Sequence, residues 1–407
     1  MPSTFTWLDY SEHERRQAQQ VIALFEEKGT VDELGIGSIR DAISDILFPG
    51  TSVLQSRARY LFFVPWMYLD LERRRVPAVE FGPKAARAER KFISVLLEGE
   101  DTAGVVGKVA GEAVKLLPSS IYWQGLGRWG IRTFPGSQRQ YHRSVDRFYK
   151  LAGAMHRTDD DDPIFGRVPR NWHAGIPAAP ADFPDSAALA LTRPEAEYLR
   201  DRVAQVAAKT VLSYLLSDGT PGDPVDFAWN HHQFGDFPVL NRFELEQARN
   251  FSDVMNGAAL LYNLLLARAK ASEDLVAEYE QALRDWDEHV GLRESALASW
   301  RRDDFWALLT TRTAGIRPGA RAFVTSWLDM AIGGDRKALP DNPAAQRLIR
   351  ERERALKRGL ARLDNRRALD AWLGASGVRP LDYRWGVVQG IVRDIQLGLE
   401  QRAAQRA

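Results

Sequence analysis

Three features predict an all-α protein of two helical lobes joined by an irregular segment rich in proline and aspartate. Apolar residues recur at three- and four-residue spacing in almost every window, and hardly any window alternates with period two. The one long interruption, Arg157 to Leu191, holds Asp159 to Asp162 and prolines 163, 169, 177, 180 and 184, the composition of a linker. A chain of 407 residues is long enough for such a division. The expected organisation is an N-terminal lobe at 1–156, a linker at 157–191 and a C-terminal lobe at 192–407 carrying a basic helix at 344–367.

Taken in order, Ser11 with Glu14 has the capping-box form and opens a helix with Ala18, Val21, Ile22 and Phe25 on one face. Ser38 precedes Ile39, Ala42, Ile43, Ile46 and Leu47, a helix that Pro49-Gly50 ends. Ser52 and Gln55 again have capping-box spacing, so a second helix is expected near Val53, kinked or ended by Pro65. Helices follow at 83–98, 108–116, 119–130 and 137–155. Thr192-Arg193-Pro194-Glu195 starts another that runs to Leu216. The rest reads as helices near 225–234, 241–270, 273–289, 303–311, 319–332, 341–362, 365–374 and 384–402.

Within Gly37–Trp66 the arginines Arg57 and Arg59 admit two readings. A helix, tight turn and second helix opening with Thr51, Ser52, Gln55, Arg57 and Arg59 would set a helix on a phosphate backbone or partner. An ordinary helical hairpin would instead pair the arginines with Asp41 or Asp45 and bury the aromatic run after them. The block IRDAISDILFPGTSVLQSRARYLFFVPW, with Trp7 to Ser11 and Leu381 to Trp385, resembles an uncharacterised bacterial family known as a domain of unknown function (DUF6361-type). The resemblance covers essentially the whole chain. It implies a setting, gene neighbourhoods of anti-phage defence beside helicases and phospholipase-D-like nucleases, and no site residues.

Composition narrows the function classes. Hydrophobic residues at 45% and charged residues at 27% are ordinary for a folded protein. A net charge of +1 argues against a broadly basic coat for nucleic acid. With no cysteine, thiol catalysis, disulfides and cysteine-based metal centres are excluded. The longest apolar run, Tyr60 to Leu69, is half a bilayer span of about 20 residues, and MPSTFTWLDYSEHERR has no leader pattern. A cytoplasmic protein away from membranes is expected.

Several constellations bear on chemistry. The 344–367 helix sets Ile349, Leu356, Leu360 and Leu363 as one stripe among Arg347, Arg350, Arg352, Arg354, Lys357, Arg358, Arg362, Arg366 and Arg367. Such a face suits a phosphate backbone, an acidic partner or plain solvation. Reversing Arg350, Arg354, Lys357 and Arg358 is expected to break binding and leave the fold intact. Arg284 and His289 match the Arg-x4-His spacing of HEPN-type ribonucleases, where arginine holds phosphate and histidine moves a proton. Arg167 and His173 give a similar spacing in the linker, and His289 near a helix end also suits the dipole.

His231-His232 with Asp226 and Asp236, Asp159 to Asp162, and Glu26-Glu27-Lys28 each fall short of a metal site, because adjacent helical histidines diverge by about 100° and no second carboxylate cluster appears. No cofactor is expected. Trp123, Trp129 and Trp172, in glycine- or proline-broken stretches, would be exposed stacking or docking side chains. The expected function is a non-catalytic scaffold or adaptor of a multi-protein anti-phage system. It would engage a helicase- or nuclease-type partner and DNA or RNA through Arg57, Arg59, Arg350, Arg354, Lys357 and Arg358. The alternative is a ribonuclease-like effector using Arg284 and His289, and a third is a sensor of phage protein.

Overall fold

The structure, a computed structural model, describes residues 32–155, 170–312 and 315–401. The helix expected after Ser11, Glu26-Glu27-Lys28 and Asp159 to Asp162 lie outside these residues. The described chain is all-α. Its helices are α1 (Gly37–Leu47), α2 (Tyr60–Arg73), α3 (Ala78–Leu97), α4 (Pro118–Arg128), α5 (Gln138–Met155), α6 (Arg193–Val206), α7 (Val211–Ser217) and α8 (Val239–Lys270). There follow α9 (Glu273–Gly291), α10 (Glu294–Ala298), α11 (Arg302–Arg312), α12 (Pro318–Gly333), α13 (Pro343–Lys357), α14 (Arg366–Asp370) and α15 (Trp385–Glu400). Among the described residues no strand forms, and one isolated antiparallel bridge links Arg132 to Trp172. No described helix is long and apolar enough to cross a membrane.

The described residues fall into two compact units. One holds 32–43 and 246–383; the other holds 44–245 and 384–401. Residues 170–191, the described part of the expected linker, lie inside the second unit. There Thr133 N donates to Asn171 O at 2.9 Å and His173 N to Ile131 O at 2.8 Å.

The second unit is built on α2. Tyr60 to Tyr68 is buried on every side. Phe63 meets Phe92 at 4.9 Å, and Tyr68 meets Tyr141 at 5.5 Å and Trp172 at 5.8 Å between ring centroids. Of the kink or end expected at Pro65, the end does not occur: α2 runs on to Arg73, held by this burial. A mid-helix proline costs about 3 kcal/mol, and each buried aromatic returns about 1.5–3 kcal/mol. The Ser52–Gln55 pair also differs. Ser52 N donates to Gln55 Oε1 at 3.2 Å, and Gln55 Nε2 donates to Gly50 O, so the motif closes a turn and α2 starts only at Tyr60. At Thr192 the capping box is complete, with Thr192 N donating to Glu195 Oε2 at 2.9 Å. α3 packs on α2 and α5, and α15 on α6 and α7.

In the other unit α8 is the buried axis, with Leu261, Tyr262, Leu264 and Leu266 fully covered. Trp327 Nε1 donates to Val254 O at 2.9 Å and Trp286 Nε1 to Asp253 O at 2.7 Å. The indoles thereby fix α12 and α9 on α8.

Candidate functional site

The expected basic helix is where sequence and structure differ most. α13 starts as its residues dictate: Asn342 Oδ1 accepts from Ala344 N and Ala345 N at 2.9 and 3.2 Å, and Pro343 takes the first turn. Ala345, Ile349 and Glu353 form its buried face. It does not run to 367. It stops at Lys357, where Arg358 adopts a left-handed φ of 52°, and a 3-10 turn at Arg358–Leu360 reverses the chain. The predicted stripe is therefore split. Ile349 and Leu363 are buried, while Leu356 and Leu360 are 37% and 71% exposed.

The reversal is held by a carboxylate. Glu353 is 0% exposed. Its Oε1 accepts from Tyr262 OH at 2.5 Å, Arg362 N at 2.9 Å and Lys357 Nζ at 3.3 Å, and its Oε2 from Leu363 N at 3.0 Å. A second buried acid, Glu33, accepts from Lys357 Nζ and from Arg362 Nη1, the latter at 2.6 Å. Two carboxylates thus face two cations. Burial, with Glu33 and Glu353 alongside, pushes the Tyr262 hydroxyl far above its ordinary range, so it stays a donor. Burial opposes the charge of Arg362, but Glu33 outweighs it and holds the guanidinium above its usual value. Beside Glu33 lies a recess of about 70 Å³ lined in part by Asp32, Tyr262, Ser376 and Arg379, room for water rather than a nucleotide-sized ligand.

The outer side is different. Arg354 makes a bidentate pair with Asp364, Nε to Oδ2 at 2.8 Å and Nη2 to Oδ1 at 3.0 Å. Arg350 donates to Leu363 O at 3.1 Å and lies 3.6 Å from the same carboxylate. Arg352 turns inward to Leu34 O and Gly35 O at 2.8 and 3.0 Å. Arg347 and Arg358 are exposed and lack an ion pair among the described residues. Of the expected binding residues on this helix, Arg350 and Arg354 are thus paired at the surface, Arg358 projects freely, and Lys357 is structural. Because Lys357 faces Glu33 and Glu353, reversing its charge is expected to destabilise this reversal of the chain, unlike charge reversal of the exposed Arg358.

Arg57 and Arg59 lie in the other unit. Arg57 Nε donates to both oxygens of Asp394 at 3.1 and 3.0 Å, and its Nη1 to Asp101 at 2.6 Å. Arg59 is buried against Glu195 at 2.9 Å and Ala188 O at 2.8 Å. Neither uses Asp41 or Asp45, the partners expected from proximity in sequence: Asp41 pairs with Arg40, and Asp45 with Arg384 at 2.8 Å. Sequence patterning offered no signal for Asp394 or Glu195, because an ion pair leaves no periodicity.

Arg284 and His289 sit on α9 five positions apart, about 140° around the axis. Arg284 is held by Gln281 Oε1 at 2.7 and 3.1 Å. His289 Nε2 stands 3.3 Å from Asp253 Oδ1, beside an Arg293 that also reaches Asp253, Asn250 and Glu246. His231 and His232 lie in the connection between two 3-10 turns, Ala228–Asn230 and Phe234–Asp236, and not in a helix. Their rings lie 4.4 Å apart, and burial together with His232 pushes His231 down to about 4. Among the described residues no group of three or more His, Asp or Glu is placed to hold a metal. Trp123, Trp129 and Trp172 are buried and not exposed. Their Nε1 atoms donate to Gly136 O, Pro49 O and Tyr141 OH at 3.1, 2.8 and 3.0 Å.

Residues 2–396 match the model of a family described as a family of unknown function, DUF6361. No curated protein and no solved structure matches the chain.

Proposed function

The chain belongs to the DUF6361 family, and from that premise we propose that it is a non-catalytic scaffold or adaptor subunit of a multi-protein bacterial anti-phage system. It works in the cytoplasm and engages a helicase- or nuclease-type partner, with nucleic acid as a second ligand of the same surface. The defence setting rests on the gene neighbourhoods that the resemblance implies. The observation that carries the binding role is the exposed end of α13. There Leu360 stands in solvent and Leu356, packed in part on Gly35, is partly exposed, close in the chain to Arg354 and the unpaired Arg358, with Arg347 two turns before Arg354. Exposed leucine with arginine is the composition of a protein interface, and the rigid base beneath it, Glu353 with Lys357, preorganises the surface.

The test is a tagged pull-down from cells carrying the native gene neighbourhood, with nuclease treatment, comparing the natural protein with Arg347→Glu/Arg358→Glu/Leu360→Asp. A helicase or nuclease retained by the natural protein and lost by the variant, at unchanged melting temperature, is the expected result. Retention by both would overturn the assignment of this surface. Recovery of the natural protein with RNA fragments and no protein partner would overturn the adaptor role.

A further inference from the structure

The second unit contains a buried cation with no counter-ion. Arg132 is only 7% exposed, and among the described residues no carboxylate pairs with it. Its guanidinium donates to main-chain carbonyls alone: Nε and Nη2 to Trp123 O at 3.4 and 3.3 Å, Nη1 to Phe134 O and to Gly136 O, the latter at 3.1 Å. It also lies 4.6 Å from the Trp123 ring. Carbonyl dipoles and a π face solvate the charge without neutralising it, and a buried charge lacking its opposite is costly. Burial accordingly pulls this guanidinium below its ordinary value.

The cost is informative because Arg132 lines an open groove of about 280 Å³, near the lower end of small-ligand pockets at about 300 Å³. The groove's other walls include Gln124, Arg128, Thr133 and Phe134. Arg128 and Gln124 are exposed and make no hydrogen bond or ion pair among the described residues, so a second guanidinium and an amide donor are free at the rim. Gly127, on the turn of α4 between them, leaves room for this arrangement. A Cβ there would lie 2.4 Å from Arg132 Nη2, so any larger residue would displace the guanidinium from the groove wall.

We propose that this groove binds the phosphate group of a small phosphorylated ligand of about nucleotide size. Arg132 supplies the fixed positive potential, Arg128 closes onto the phosphate oxygens, and Gln124 adds a neutral donor. Guanidinium groups suit phosphate because their N–H forks match its oxygens. The site is independent of the α13 surface.

The experiment is calorimetric titration of the full chain with inorganic phosphate, with a nucleoside monophosphate, and with one short oligonucleotide made with and without a 5′-phosphate. Saturable binding of at least one phosphorylated probe is expected. Arg128→Glu should weaken it at least about tenfold, the worth of one charge-assisted hydrogen bond, without moving the melting temperature. Tighter binding of the monophosphate than of phosphate would identify a free nucleotide, whereas binding confined to the phosphorylated oligonucleotide would overturn the assignment to a small ligand. No saturable binding at millimolar probe, equal binding of the two oligonucleotides, or binding indifferent to Arg128→Glu would overturn the proposal. Arg132→Met removes a buried side chain that also ties down the 134–136 turn, so the exposed Arg128 carries the test.

Discussion

Arg59 Nη2 donates to Glu195 Oε1 at 2.9 Å across 136 residues of chain, with 8% and 4% of the two side chains exposed. Such a pair is held as a pair. Removing one partner strands the other charge in the core, at a cost of about 3–5 kcal/mol. Arg59→Ala should therefore lower the melting temperature sharply. The double variant Arg59→Met/Glu195→Leu should recover most of the loss, and differential scanning calorimetry distinguishes the two. A melting temperature unmoved by Arg59→Ala would return Arg59 to the list of partner contacts.

Glu89 and His142 predict opposing pH dependences. Burial raises the Glu89 carboxyl to about 7, against the stabilising hydrogen bond from Ser119 N at 2.8 Å. Burial lowers His142 to about 4. Between its ordinary value of 4.5 and 7, the folded state holds the Glu89 proton that the unfolded state has lost, so stability from this group falls as pH rises. For His142 the unfolded state holds the extra proton between 4 and 6.5, so its contribution rises with pH. Glu89→Gln removes the falling component, worth on the order of 3 kcal/mol at pH 8. Chemical denaturation at pH 5 and pH 8 should show the variant gaining stability with pH relative to the natural protein. Equal slopes would mean that the carboxyl stays charged.

Gly50 combines a φ of 82° with close approach: a Cβ would lie 2.5 Å from Trp129 Nε1, which donates to Pro49 O at 2.8 Å. Gly50→Ala should cost about 1–3 kcal/mol and perturb tryptophan fluorescence.

Lys357 and Arg358 are adjacent but should behave oppositely. Lys357→Glu would set a third carboxylate against Glu33 and Glu353 and cost about 3 kcal/mol or more. Arg358→Glu should leave stability within about 0.5 kcal/mol while weakening partner capture. Thermal melts of the two single variants check this.

His289 is 54% exposed and touches Asp253, an acid already paired with Arg293. His289→Ala should change stability by less than about 1 kcal/mol and leave protection against phage intact. Loss of protection at unchanged stability would favour a ribonuclease-like effector.

Helix positions were largely legible in the sequence because periodicity and capping are local. Thr192 to Glu195 shows this, as does the near coincidence of α8, α9, α11 and α12 with their expected spans. Tertiary contacts decided the exceptions. α2 tolerates Pro65 because burial on all sides outweighs one lost hydrogen bond. α13 stops at Lys357 because Glu353 offers its carboxylate to Arg362 N and Leu363 N, and these bonds hold the chain in its reversal. The exposed rim of α13 was partly legible as a run of arginines. Its division into structural and free cations was not, since Glu33 lies more than 300 residues away in sequence. The Arg132 groove left no local signature, because a missing counter-ion is visible only once the neighbours of a side chain are known. The sequence by itself determined most of the long helices and their apolar faces, though the helices expected at 108–116 and 225–234 are no more than 3-10 turns. The tertiary structure decided which charges are consumed inside the protein and which remain exposed, because charge pairing depends on distance in space.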